Sequence, residues 1–279
     1  MDWQDVIGLG VAGNFAGHLE QAGEASDFKD LVIEDARAPK GVFPFYVPVS
    51  PERRDEHFLH VCPISSSRIR LGSDAEKHQI EPEVSLLCDL EYEGGRVVRV
   101  VPRRAMAHND CSIRREGAKK ISEKKNWGAE SKGTSDQAIE IDRFAPGGRL
   151  DDYRIACFLL RDGRLEEYGI DSPVASYSYM YERLLDWLVA KLSDQRDEGP
   201  LEDVSRWLEV AGHPRRALIS IGATRYTDYG ETHFLARGDQ SIVVVYDGGR
   251  FDHEAIAAIA RGDAPCPTEH ISLLRQDVV

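Results

Sequence analysis

A β-rich chain built on hairpins, with few helices, is predicted by three observations. Residues 84–92 and 96–101 flank the turn Glu93-Gly94-Gly95, and residues 155–161 and 164–168 flank Asp162-Gly163; both are apolar-rich runs joined by glycine turns. Beyond residue 40, hairpins replace the strand-and-helix alternation that a parallel α/β protein requires. Helical spacing is confined to a few segments, and prolines at 44, 48 and 51 keep helix out of the aromatic stretch between them.

In order along the chain, Gly8-Leu9-Gly10-Val11-Ala12-Gly13 matches G-x-G-x-x-G, and the run 31–35 ends in acids near where a ribose-binding carboxylate would stand. A dinucleotide-dependent oxidoreductase is one reading; a glycine-rich strand leading to a helical turn over 14–22 is the other. That turn carries His18, Glu20 and Gln21, and His18 is either a candidate general base or an exposed helical histidine. Ser172-Pro173 predicts the N-cap and first residue of a long helix, with Tyr177, Tyr181, Leu184, Leu185, Leu188 and Leu192 on its core face. A second helix is expected over 200–211. Strands are expected at 217–221, 233–236 and 241–246, then a helix over 252–260 and a polar tail.

The chemistry concentrates in residues 80–133. Glu81 and Glu83 stand at i and i+2 of a strand, so both side chains share one face roughly 7 Å apart. With Asp110 as a third oxygen ligand they form a candidate site for a hard ion, Mg²⁺, with Mn²⁺ or Ca²⁺ as alternatives, and Lys132 lies beside it. By spacing alone the pair also reads as the solvated face of an edge strand, which Pro82 suits. Residues 114–125 set six basic residues against two acidic ones, a local balance of +4. This is either a loop that attracts an anionic substrate or a solvated surface. As the former, residues 114–131 should border the pocket and be more mobile than the central hairpin.

Composition narrows the partners. The 279 residues can bury a large core, and acids exceed bases by 13, which argues against nucleic acid and anionic membranes and for a small-molecule partner. No apolar run approaches a membrane span, and Asp2 and Asp5 stand where a signal peptide would be basic. Five cysteines without a C-x-x-C pair suggest neither a disulfide framework nor a zinc knuckle, so a cytoplasmic setting is expected.

Four segments in order carry a resemblance. Gly13-Asn14-Phe15-Ala16-Gly17-His18, Glu81-Pro82-Glu83, Asn109-Asp110-Cys111-Ser112-Ile113-Arg114 and Lys132-Gly133 resemble the G-x-N-Y-x-x-H, E-x-E, N-D-x-S-x-R and K-G signatures of the fumarylacetoacetate hydrolase family. Residues 176–181 and 219–244 resemble its late helix and strands; residues 200–211 fall outside the likeness. The resemblance implies an α+β, β-rich fold, a fumarylacetoacetase-like roll of mixed sheets with a few helices, usually as a homodimer. Residues 1–75 would be an N-terminal segment carrying the glycine-rich turn and His18, and residues 76–279 the catalytic domain. It also implies a divalent-metal-dependent hydrolase or lyase acting on a C–C bond of a 2-oxo or 1,3-dicarbonyl acid through a metal-stabilised enolate, with decarboxylation and isomerisation as variants. Glu81, Glu83 and Asp110 would hold Mg²⁺, His18 would activate water, Lys132 would stabilise the enolate, and Arg114 and Thr224 would bind substrate.

Three departures mark a divergent branch. Gln21 replaces the family's glutamate three residues after the histidine, leaving Glu24 as its substitute; Thr134-Ser135-Asp136-Gln137 replaces the usual run after K-G; and G-T-P becomes Gly222-Ala223-Thr224. A relative that binds metal and oxo acid without turnover is therefore the alternative.

Overall fold

In the computed structural model, which describes residues 2–24, 28, 35, 37–50, 56–115 and 117–279, fifteen strands are found among the described residues. In chain order they are β1 (Ile7–Ala12), β2 (Gly41–Tyr46), β3 (Ile64–Ser65), β4 (Arg68–Ile69), β5 (His78–Gln79), β6 (Pro82–Glu93), β7 (Arg96–Asn109) and β8 (Ser112–Ile113). There follow β9 (Lys132–Thr134), β10 (Ile139–Glu140), β11 (Tyr153–Arg161), β12 (Arg164–Pro173), β13 (Arg216–Ser220), β14 (Gln240–Asp247) and β15 (Ile271–Val278). The helices are α1 (His18–Gln21), α2 (Tyr181–Asp194), α3 (Val204–Val210), α4 (Asp228–Thr232) and α5 (His253–Arg261).

The large sheet runs β2-β1-β13-β6-β7-β9-β3, with β10 beside β7, and the second runs β12-β11-β14-β15-β4; β5 and β8 pair separately. Pairing is mixed: β1 with β13, β3 with β9 and β4 with β15 are parallel, whereas the two predicted hairpins are antiparallel. Strand alternation places the core. Ile155, Cys157 and Leu159 of β11 join Val84, Leu86, Val243 and Val245 between the sheets, while Ala156 and Phe158 turn outward to Ile256 and Ile259 of α5. Helix α2 adds Leu184, Leu188 and Leu192, one turn apart on one face, to the inner core. No helix among the described residues is long and apolar enough to cross a membrane.

Several sequence expectations shift for identifiable reasons. The helix expected from Ser172-Pro173 begins at Tyr181, because Ser172 and Pro173 pair with Ile155 and Arg154 at the end of β12. Residues 233–236 form no strand; they follow α4 as a connection in which Leu235 donates its N–H to the His78 carbonyl. The expected polar tail is β15, whose Ser272 and Gln276 are buried because they bond across the sheet interface, Ala107 donating to Ser272 Oγ at 2.9 Å and Asn109 to Gln276 Oε1 at 3.2 Å. Gly8 and Gly10 lie inside β1, where a Cβ would stand 2.2 Å from the rings of Phe45 and Phe43; close packing, not a phosphate turn, requires them. The run 31–34 lies outside the described residues.

Gln195, shortly before the segment absent from the family likeness, seals the edge strand β2. Gln195 accepts from Val42 N at 2.8 Å and donates to Val42 O at 2.6 Å, pairing an edge that would otherwise be open. The neighbouring Glu202 carboxyl is buried, bonded by Ser122 through one oxygen and unpartnered at the other. Burial pushes it up to about 7, against the pull of the Ser122 hydroxyl and Lys120. A carboxyl with a raised folded-state pKa contributes stability that is fully present below its unfolded value and lost as pH rises through the folded one. Stability should therefore fall between about pH 4.5 and pH 7, and Glu202→Gln should recover on the order of 2 kcal/mol at pH 8 and nothing at pH 4. Urea denaturation at the two pH values checks this; an equal effect at both would refute it.

Candidate active site

One line of register across three strands assembles the site. Pro82 pairs with Asn109, which pairs in turn with Gly133, so the next position aligns Glu81, Asp110 and Lys132, and Asp110 donates its N–H to the Glu81 carbonyl at 2.9 Å. Glu83, two residues on from Glu81, shares its face and pairs with His108. The ligand-capable oxygens of Glu81, Glu83 and Asp110 lie within 4.8 Å of one another, and all three residues are buried. The reading of an exposed edge face is thus replaced by a buried cluster in the middle of the large sheet.

Cations balance it. Lys125 Nζ lies 2.6 Å from both Glu81 Oε2 and Asp110 Oδ2, Lys132 Nζ contacts Asp110 Oδ1, and Arg114 Nη1 lies 2.8 Å from Glu81 Oε1. Burial raises the Glu81 carboxyl, but Lys125, Arg114 and His18 outweigh it and hold it well below the usual range. Glu83 goes the other way, pushed well above that range by burial and by Asp110; the Gly222 N–H bonding it at 2.8 Å only partly opposes this. Burial lowers Lys132 despite Asp110, and Lys125 lowers it further. Both oxygens of Asp110 and Glu81 Oε1 lack an aligned hydrogen bond and meet only ion-pair partners. A buried set of hard oxygen donors with directions to spare fits a divalent ion of the Mg²⁺ type.

His18 enters from α1 and is buried. Its Nδ1 sits 2.9 Å from the Thr224 carbonyl, which can only accept, so Nδ1 carries the proton and Nε2 remains the basic nitrogen. That Nε2 lies 3.9 Å from Glu81 Oε2, and burial lowers the imidazole's pKa, with Glu81 partly opposing. The Gln21 side chain is engaged with Tyr226 and Glu231. Its amide donates to the Tyr226 carbonyl at 3.1 Å and accepts from the Tyr226 N–H at 2.9 Å, which fixes the 222–226 loop. Main chain therefore orients His18 where the family resemblance implies a glutamate. Gly222 makes the loop's approach practicable: at φ 116° a Cβ would lie 2.9 Å from that of Asn14, whose amide pins Tyr179 and Ile221.

The remaining predicted residues are nearby but engaged. The Thr224 hydroxyl lies 3.4 Å from the Pro82 carbonyl, and its backbone oxygen meets His18 Nδ1. Glu24 meets Arg114 at 2.8 Å and Lys124 at 2.9 Å, and Arg114 also bonds Gln79 and Tyr226. Glu24 borders an inner chamber of about 20 Å³, lined also by His18, the three carboxylates and Lys125, as well as an outer cavity of about 590 Å³ lined by Lys77, Arg114, Arg115 and Lys124. The basic segment thus borders the cavity and is solvated only in part: Arg115 and Lys119 are exposed, whereas Lys124 and Lys125 point inward, and Asn126 ties the backbone to the carbonyls of Phe45, Phe58 and Val61. Sequence reasoning missed Lys125, since nothing distinguishes it from Lys119, Lys120 or Lys124. It also missed the buried His108, whose Nδ1 lies 2.7 Å from Thr134 Oγ1.

The fold is similar to that of solved structures of the fumarylacetoacetate hydrolase family. The chain belongs to a family of unknown function, DUF5718, whose model matches residues 24–278. Cg1458, solved with an inhibitor, is similar with a TM-score of 0.54 at 16% identity, over 99% of this chain and 77% of that one. A hexagonal crystal form of 2-keto-3-deoxyarabinonate dehydratase gives 0.53 at 13% identity, over 98% and 73%. A protein from Yersinia pestis CO92 described as of the fumarylacetoacetate hydrolase family gives 0.52 at 11%, over 98% and 94%. These likenesses bear out the expected β-rich roll. No curated protein matches the sequence.

Proposed function

We propose that the protein is a divalent-metal-dependent enzyme acting on a C–C bond of a small anionic 2-oxo or 1,3-dicarbonyl acid. The observation that carries this reading is the convergence of Glu81, Glu83, Asp110 and His18 on one buried chamber, with the Lys132 ammonium held against Asp110. Glu81, Glu83 and Asp110 would hold Mg²⁺, which when bound supplies Lewis-acid polarisation of adjacent substrate oxygens. Residues 1–75 contribute His18, whose Nε2 takes the proton from water while the Thr224 carbonyl holds the ring in place. The Lys132 ammonium stabilises the oxygen on which charge develops as the bond breaks. Arg114 binds the substrate carboxylate after Glu24 yields it. Of the similar structures, one is named for a dehydratase of a 2-keto sugar acid, in keeping with an oxo-acid substrate.

The reading is tested on full-length protein stripped with EDTA, then given Mg²⁺ or Mn²⁺ at a hundredfold over its dissociation constant. Stabilisation of about 2.7 kcal/mol, or roughly 5–10 °C, is expected. Oxalate, a stand-in for the enolate of pyruvate, should add to it. No shift with either ion sinks the metal site. A second reading, binding without turnover, is favoured by the amide at Gln21 and the small chamber. Stabilisation by ion and oxalate with no product from a panel of oxo acids would select it.

A further inference from the structure

Resting on the metal reading above, we propose that Lys125 is a resident cation of the carboxylate cage: it occupies the bridging position between Glu81 and Asp110, and a divalent ion must displace its ammonium to bind. The geometry is specific. Nζ stands 2.6 Å from one oxygen of each carboxylate, the side chain is buried, and the Phe43 ring lies 5.4 Å from Nζ on a further side. The other oxygen of each acid already meets a cation, Glu81 Oε1 with Arg114 and Asp110 Oδ1 with Lys132, so an ion held by both acids is left with the oxygens that Nζ now holds, and ammonium and metal exclude one another.

The fold permits displacement of the head group alone. Lys125 follows a 3₁₀ turn over Ile121–Lys124, its N–H bonds the Ser122 carbonyl at 3.0 Å, and the next residue is tied to three carbonyls, so the backbone is held. The four-carbon stem can still withdraw the charge. Glu24, which also borders the chamber, stands on the way to the outer cavity as an alternative anion. The arrangement has a physical purpose. Three buried carboxylates served by Lys132 and Arg114 alone would leave charge uncompensated whenever the ion is away, and Lys125 keeps the metal-free protein folded at the expense of metal affinity.

Calorimetric titration of EDTA-stripped protein with Mn²⁺ tests this on the wild type, Lys125→Met and Lys125→Arg. Lys125→Met should bind at least tenfold more tightly than wild type, and Lys125→Arg, which keeps the charge, no more tightly than wild type. Equal or weaker binding by Lys125→Met, with the wild type binding normally, overturns the proposal and leaves the metal reading standing. Binding by none of the three removes the metal reading itself. A second measurement needs only the native protein: in crystals soaked with Mn²⁺ the ion should lie on Glu81 and Asp110 with Lys125 Nζ no longer touching both. An ion bound there with Lys125 unmoved contradicts the exclusion, even should Lys125→Met fail to fold.

Discussion

Asparagine at position 110 is expected to cost about 3–5 kcal/mol of folding stability and to abolish divalent-ion binding. The substitution preserves shape and removes one charge from a residue with no exposure, whose two oxygens face the ammonium groups of Lys125 and Lys132. Those cations cannot reach water, so the loss is that of uncompensated buried charge and not of a surface ion pair, which would contribute about 0–1 kcal/mol. Urea unfolding with and without Mn²⁺ reads both effects. A variant within about 1 kcal/mol of wild type that still gains stability from the ion would show that Asp110 is neither the hub of the charge network nor a ligand.

Alanine at position 18 should lower hydrolytic turnover by about 10²–10⁴-fold while leaving Mn²⁺ affinity unchanged, since His18 serves as proton acceptor and the carboxylates as ligands. Lys132→Met should lower turnover by about 10²–10³-fold through the developing oxyanion. The pair is informative together. Full activity in His18→Ala with a collapse in Lys132→Met would remove the histidine from the reaction and favour isomerisation or decarboxylation, which need no activated water. Steady-state kinetics on whichever oxo acid proves active, beside ion titrations of both variants, make the distinction.

What the sequence determined by itself is local. The two hairpins, the inward face of α2 and the shared face of Glu81 and Glu83 follow from periodicities of two and 3.6 residues and from glycine turns, which need no knowledge of distant chain. Asp110, Lys132 and His18 are candidates from residue type alone, and the ordered motifs add their roles through resemblance. Only the tertiary structure decided the rest. Lys124 and Lys125 look no different in sequence from their exposed neighbours because sequence records charge and not burial; Lys125 acquires its partners when Glu81, just before β6, and Asp110, just after β7, meet the 3₁₀ turn over Ile121–Lys124. Likewise β15 hides its strand pattern, because Ser272 and Gln276 take inward positions that their polarity disguises and that hydrogen bonds to the facing sheet make affordable. The position of Gln21 stands out in sequence as a missing acid, yet a Thr224 carbonyl some 206 residues away orients the histidine instead. Every residue supplies such a main-chain oxygen, so no side-chain pattern can announce it.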